Sequence, residues 1–339
     1  GDICVSQLKT GKIDPAFLAP LLARYTRAGG RVAIGAGIGE DAAAINMGGS
    51  YLLAKTDPIT HASDRIGQYA VHINANDIAA MGGTPRWFLA TLLMPEGSTE
   101  QQLEDIFSQI SIACESLGIS YCGGHTEVTT SVTSPVVVGQ MLGEAADGGL
   151  KPTSGAKEGD LVMMTKCAAI EATAIIALEL GNDLIGRVPE ALLARARNYL
   201  AEPGISVVAD AMALAGMDGL HALHDPTEGG VATGISEIAE ASGLGVTVDS
   251  DAIAISEETG LLCGLVGVDP LGTFASGALL MAVDPKAAEE AALRLQKQGT
   301  PVCTVGRMTS SAEGRWLILE GRRVPLPVFH QDELSRIFG

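Results

Sequence analysis

Four short acidic clusters in this chain each lie beside glycine or in a polar break. They are Gly39-Glu40-Asp41, Thr56-Asp57-Pro58, Asn74-Ala75-Asn76-Asp77 and His224-Asp225-Pro226-Thr227-Glu228-Gly229-Gly230. Magnesium carrying a nucleotide takes hard oxygen ligands from one or two carboxylates, and the adjoining phosphates take backbone N–H groups that glycine leaves open. Any one cluster alone is more often a solvated turn, because Asp and Gly are the commonest turn residues. Their repetition points to a metal–phosphate site. A fifth candidate is Gly123-Gly124-His125-Thr126-Glu127, a glycine pair between strands with metal-ligand side chains behind it. The alternative there is a hairpin turn with an exposed His and Glu.

The elements that must carry these residues are legible from periodicity and punctuation. A helix is expected over Ile66 to Met81, with Tyr69, Ala70, Ile73, Asp77 and Ala80 on one stripe. Asp77 thus stands where an apolar residue belongs, and a carboxylate on a buried face must be neutralised or paired. Asn74 lies on the adjoining surface as a possible second oxygen ligand; the alternative is a salt-bridged structural Asp. Pro85 to Met94 reads as a strand, followed by a helix capped at Ser98 with Gln101 and stopped by Gly118. The Gly/Lys/Pro/Thr/Ser-rich stretch from Ala145 to Asp160 marks a domain boundary, giving domains 1–150 and 151–339. Beyond it come a strand at Leu161 to Met164 and helices near Glu171–Leu180, Pro189–Leu200 and Ser206–Ala215. The Asp225-to-Gly230 loop opens a helix that stops at Gly243, so its glycines lie where free N–H groups and the dipole attract phosphate. Strand Ala278–Val283, a helix with Asp284 as cap and Pro285 at its first position, and strand Val302–Val305 form a βαβ unit.

Composition narrows the classes. At 339 residues with 47% hydrophobic residues the chain fills two cores, and few aromatics beside abundant Ala and Gly suit an α/β or α+β fold. A net charge of −18 would repel a phosphate backbone and excludes nucleic acid as a partner, while a nucleotide needs magnesium to screen the carboxylates. Six scattered cysteines (Cys4, Cys114, Cys122, Cys167, Cys263, Cys303) without a CxxC pair read as reduced core thiols of a cytoplasmic protein. No apolar run reaches the ~20 residues of a membrane span. The glycines of Gly35 to Gly39 match neither the dinucleotide nor the P-loop fingerprint. His221 and His224 have metal-pair spacing, but no third ligand is evident.

Gly37-Ile38-Gly39-Glu40-Asp41-Ala42-Ala43, Asn76-Asp77-Ile78-Ala79-Ala80-Met81-Gly82, Gly123-Gly124-His125-Thr126, Asp225-Pro226-Thr227-Glu228-Gly229-Gly230 and Ser276-Gly277-Ala278 resemble, in order and spacing, the motifs of the aminoimidazole ribonucleotide synthetase superfamily. That superfamily includes thiamine-monophosphate kinase, selenophosphate synthetase and the hydrogenase-maturation proteins that dehydrate a carbamoyl thioester. The Asp-Pro-Thr-x-Gly-Gly pattern is similar to the hydrogenase-maturation branch.

The resemblance implies two related α/β halves, dimerisation through strands of the first, and ATP with Mg2+ bound near the dimer interface. It implies phosphoryl transfer to a small acceptor, or else an assembly factor with little turnover and a maturation-protein partner. By matching motifs, Asp41, Asp57 and Asp77 would hold magnesium and Gly37, Gly39 and Asn76 would adjoin the nucleotide. Gly123, Gly124, His125 and Thr126 would also line it, Asp225 and Glu228 would act on the γ-phosphate and acceptor, and Gly229 and Gly230 would supply amides. Where the superfamily has an acidic residue after the glycine pair this chain has His125, so Glu127 is the candidate replacement ligand. The chain ends Arg336-Ile337-Phe338-Gly339 without the terminal cysteine of the carbamoyl-dehydrating branch, from which cyanide-ligand chemistry in cis is not expected.

Overall fold

A computed structural model of the chain describes residues 8, 13, 15–37, 39–60 and 65–338. Cys4, Ile38 and Gly339, which entered the readings of the thiols, the glycine-rich motif and the tail, lie outside the described residues.

After helix α1 (Pro15–Tyr25), the first half holds strands β1 (Val32–Ile34), β2 (Ala43–Asn46) and β3 (Ser50–Ile59), then α2 (Ile66–Ala80) and β4 (Thr84–Pro95). It continues with α3 (Glu100–Leu117), β5 (Ser120–Thr129) and β6 (Val136–Ala146). The sheet order is β1-β2-β3-β6-β4-β5, antiparallel except for the parallel pair β4–β5. Alternation along β4 buries Phe88, Ala90, Leu92 and Met94 beneath α2 and α3, while Leu89, Thr91 and Leu93 point to the half-covered opposite face.

The second half runs β7 (Leu161–Thr165), α4 (Ile170–Glu179), α5 (Glu190–Arg197), α6 (Val208–Ala213), β8 (Leu220–His224), α7 (Gly230–Ala241) and β9 (Gly245–Asp249). It closes with α8 (Glu257–Val266), β10 (Leu280–Val283), α9 (Ala288–Lys297), β11 (Val302–Thr309), β12 (Arg315–Leu319), β13 (Arg322–Pro325) and α10 (Ser335–Phe338). These strands form a seven-stranded mixed sheet, β13-β12-β9-β11-β7-β10-β8. The expected βαβ unit is present with β7 inserted: β10 and β11 each pair antiparallel to β7, so they run parallel to one another. α7 packs with Val162, Met164, Leu280 and Val305 on one face of the sheet. Met163, Met281 and Val283 on the other face join α6, α9 and the core of the first half in one continuous apolar cluster. The fold is therefore α/β with two sheets.

Three local expectations shift. Thr99, not Ser98, caps α3, through a reciprocal capping box with Gln102, whose amide lies 3.2 Å from Thr99 Oγ1. α9 begins at Ala288 because Asp284 Oδ1 accepts from Lys286 N at 2.9 Å, forming a turn ahead of the helix. Gly123 and Gly124 are not a hairpin turn but lie inside β5 at φ 139° and 149°. A β-carbon on Gly124 would sit 1.8 Å from the Ala90 carbonyl oxygen, so only glycine lets β5 lie against β4 there.

The five described cysteines are free thiols, with Cys114 and Cys263 buried and Cys122 exposed. No helix among the described residues is long and apolar enough to cross a membrane.

Candidate active site

The two-residue repeat of β3 puts Lys55 and Asp57 on the face beneath α2, and the helical repeat of α2 brings Asp77 over them. Lys55 Nζ lies 3.1 Å from Asp77 Oδ1 and 3.8 Å from Asp57 Oδ2. Burial pushes the Asp77 carboxyl up and Lys55 draws it back, while Asp41 and Asp57 push it further up. Burial alone would lower the Lys55 ammonium, but Asp77, Asp57 and Asp41 outweigh it and hold the group charged.

Asp41 enters from the loop before β2, which Gly39 turns at φ 80°. Its carboxylate meets His224, the last residue of β8: Nδ1 lies 2.9 Å from Asp41 Oδ1, and Nε2 lies 2.9 Å from Glu237 Oε2 on α7. Burial works against protonation of this ring, yet Asp41 and Glu237 overcome it and hold its pKa well above the usual histidine value. A doubly protonated imidazole thus donates to a carboxylate on each side. Thr153 Oγ1 donates to Asp41 Oδ2 at 3.4 Å.

Asp225 follows His224 and completes the cluster. Asp41, Asp77 and Asp225, all buried, each offer an oxygen within 4.8 Å of the others. Both Asp225 oxygens, Asp77 Oδ2, Glu40 Oε2 and Asn74 Oδ1 are buried without a hydrogen-bond partner. Burial, then Asp77 and Asp41, push the Asp225 carboxyl well up. Buried acceptors with nothing donating to them, converging from two halves of the chain, fit a hard divalent cation and its oxygen coordination.

The remaining candidates separate. Asp57 is half-buried at the rim beside Lys55. Gly37 is exposed on the loop that leads to Asp41, and a β-carbon there would lie 3.3 Å from Glu40 Cγ. Asn76 points elsewhere: its side chain donates to Ile205 O at 2.8 Å and accepts from Val207 N at 2.9 Å, joining α2 to the second half. Gly123, Gly124, His125, Thr126 and Glu127 lie on the edge strand β5, with His125 Nε2 3.2 Å from Glu127 Oε2 and both side chains exposed. Asp57, Gly139, Ala90 and Gly124 form one row across the sheet, so three strand spacings, about 14 Å, divide the fifth motif from the cluster within one chain.

Glu228 is half-buried on the Asp225 loop. The amides of the glycines that follow are already engaged: Gly229 N donates to Asp332 Oδ2 at 3.1 Å and Gly230 N to Thr227 O at 3.2 Å. A β-carbon on Gly230 would lie 2.3 Å from Leu271 O, so this glycine permits close backbone packing. A phosphate at this helix start would have to displace Asp332. The roles of Lys55, His224 and Glu237 escaped the sequence reading. A lysine two residues before Asp57 was the available signal for the first; His224 was named in the Asp225 cluster and weighed as a metal partner of His221, which instead bonds Asp160 at 2.9 Å, but was given no pairing with Asp41.

Residues 39–145 match the family model of the AIR synthase related protein, N-terminal domain, and residues 157–317 match that of its C-terminal domain. The chain belongs to the AIR synthase related proteins. A carbamoyl dehydratase HypE of Rhizobium leguminosarum bv. viciae is 27% identical to this AIR synthase related chain over 285 residues, 80% of it and 77% of the relative. A thiamine-monophosphate kinase of Pyrococcus horikoshii is 27% identical over 229 residues, 65% of this chain and 69% of the relative. Among solved structures, a HypE–HypF complex superposes with TM-score 0.73 at 20% identity, covering 92% of this chain and 99% of that one. The hydrogenase maturation protein HypE in complex with ATP gives 0.71 at 21%, covering 92% and 91%. The AIR synthase related fold therefore extends over nearly the whole chain.

Proposed function

We propose that this chain is a divalent-metal-dependent, ATP-binding enzyme that transfers a phosphoryl group to a small acceptor. The observation that carries the reading is the convergence of Asp41, Asp77 and Asp225 with unpartnered buried oxygens. Phosphoryl transfer needs positioning and charge neutralisation more than covalent chemistry. Asp41, Asp77 and Asp225 would hold a divalent cation, whose chemistry when bound would be neutralisation of phosphate charge. In that arrangement the Asp41–His224–Glu237 chain would fix the orientation of one ligand carboxylate, and Glu228, half-buried on the loop after Asp225, would serve the acceptor. Solved HypE with ATP and a thiamine-monophosphate kinase among the relatives support a nucleotide as the phosphoryl donor.

The working unit in this reading is a homodimer. Leu52, Ala54, Leu89, Leu93, Val136 and Val138 line the half-covered face of the first sheet, and Val128 on β5 is exposed. A second copy packed on that face and edge would bring its Gly123–Glu127 segment towards a cluster that the same segment cannot reach within its own chain. A maturation protein is the partner class suggested by the HypE–HypF complex.

The test is ATP consumption by the purified chain with Mg2+ against thiamine phosphate, formylglycinamidine ribotide, selenide and a carbamoylated peptide. Consumption that depends on both Mg2+ and one acceptor is expected. No consumption with any acceptor, despite nucleotide binding, would favour an assembly factor that holds ATP without turning it over.

A further inference from the structure

Asp77 faces two positions at once. Its Oδ1 receives Lys55 Nζ at 3.1 Å, and the same ammonium lies 3.8 Å from Asp57 Oδ2. Its Oδ2 is buried and unpartnered, as are both oxygens of Asp225, and these carboxylates lie with Asp41 inside one 4.8 Å group that excludes Asp57. A divalent ion binds carboxylate oxygens at about 2.0 to 2.6 Å. One placed between Asp57 and Asp77 Oδ1 would fall within a few ångströms of the Lys55 nitrogen, where two like charges repel strongly.

We propose that Lys55 is the resident cation of the Asp57–Asp77 position, so that the site takes a single divalent ion, held by Asp41, Asp77 and Asp225. Asp57 is then a lysine-orienting residue and not a metal ligand. An ammonium has three donors; one reaches Asp77 Oδ1, Asp57 lies at ion-pair distance, and a remaining donor would serve a phosphate oxygen. The phosphate part of this assignment rests on the phosphoryl-transfer reading above, whereas the ion count does not.

The ion count is measured with Mn2+ alone, without nucleotide, by electron paramagnetic resonance and calorimetry on the full chain. The wild type is expected to bind one Mn2+ per chain. Asp57→Asn should leave that number unchanged and the affinity within about twofold, because a metal ligand or its close support is worth roughly ten- to a hundredfold. Lys55→Ala should admit a second Mn2+ per chain, and the Lys55→Ala/Asp57→Asn double variant should lose it again. Two ions in the wild type, a tenfold weaker Asp57→Asn, or a natively folded Lys55→Ala that still binds one ion would each overturn the assignment. If Lys55→Ala fails to fold, the wild-type count and the Asp57→Asn affinity decide the matter without it. Two ions in the wild type would leave phosphoryl transfer standing, and absent ATP consumption would leave the ion count standing, so the two readings fail separately.

Discussion

Asp225 carries two buried oxygens to which nothing donates, and this sets its behaviour without metal. An ionised carboxylate there is costly, so the neutral acid is favoured and an amide is a close substitute. Asp225→Asn is therefore expected to leave the metal-free melting temperature unchanged or raise it by an amount worth about 1 kcal/mol, while weakening Mn2+ roughly a hundredfold. Differential scanning calorimetry in EDTA and a Mn2+ titration check the two halves of that statement. Asp77→Asn differs, because Asp77 Oδ1 also holds Lys55 at 3.1 Å. Losing that pair offsets the relief of a buried charge. Equal metal-free stabilities for the two variants would mean that the Lys55 contact contributes nothing.

At the level of elements, α7 shows how a glycine-rich helix start can serve packing. Asp332, which comes from beyond β13, accepts from Gly229 N, Thr273 Oγ1 and Leu334 N, capping α7 from about a hundred residues away. Gly230→Val would press a side chain into the Leu271 carbonyl and hold a β-branched residue at φ 71°, so loss of the fold is expected ahead of any binding defect. Soluble yield and melting temperature report it; a normally stable Gly230→Val chain with impaired nucleotide binding would restore the phosphate role. Asp332→Ala should cost about 1 to 3 kcal/mol by leaving buried donors unsatisfied, with Asp332→Asn milder.

The same contrast explains what was legible beforehand. Asp77 betrayed itself as a carboxylate on an apolar stripe, and the helices with strong punctuation fall close to their expected places. Asp332 acts through Gly229, about a hundred residues away in sequence, and Lys55 meets Asp77 on another element, and no local period encodes either contact. Asn76 was assigned to the nucleotide from the motif it shares with Asp77. A helix turns about 100° per residue, however, so neighbours face different partners, and Asn76 faces the 205–207 loop.

Across the whole molecule four buried acids are raised, whereas Glu258, which burial pushes up but Arg195 and Tyr199 draw down, goes the other way. Burial pushes Glu171 to about 7 and Asp332 to about 6, and raises Asp77 and Asp225 as well. A carboxyl whose folded pKa is raised binds more protons folded than unfolded, so stability falls as pH climbs from its ordinary value towards the raised one. His224, also raised, adds a loss in the same direction as pH passes its folded pKa. His72, which burial lowers to about 4, is the opposing group, and its contribution grows between about 4 and the ordinary histidine value. The metal-free chain should therefore melt highest near pH 5 and lose stability towards pH 7.5, with millimolar Mg2+ reducing the loss. A flat melting profile in EDTA between those values would contradict this account.

The apolar cluster that runs without a break from α2 into α6, α9 and the second sheet bears on how the chain unfolds. The second half also has apolar clusters of its own, but the shared cluster couples it to the first, so neither half is expected to melt while the other persists. Heating should give one calorimetric transition whose van't Hoff and measured enthalpies agree. Residues 1–150 and 151–339 expressed separately should each be insoluble or molten, and should recover native spectra only when refolded together. The connector from Ala145 to Asp160, where the two family models part, is expected to behave in energetic terms as an internal loop of one cooperative unit.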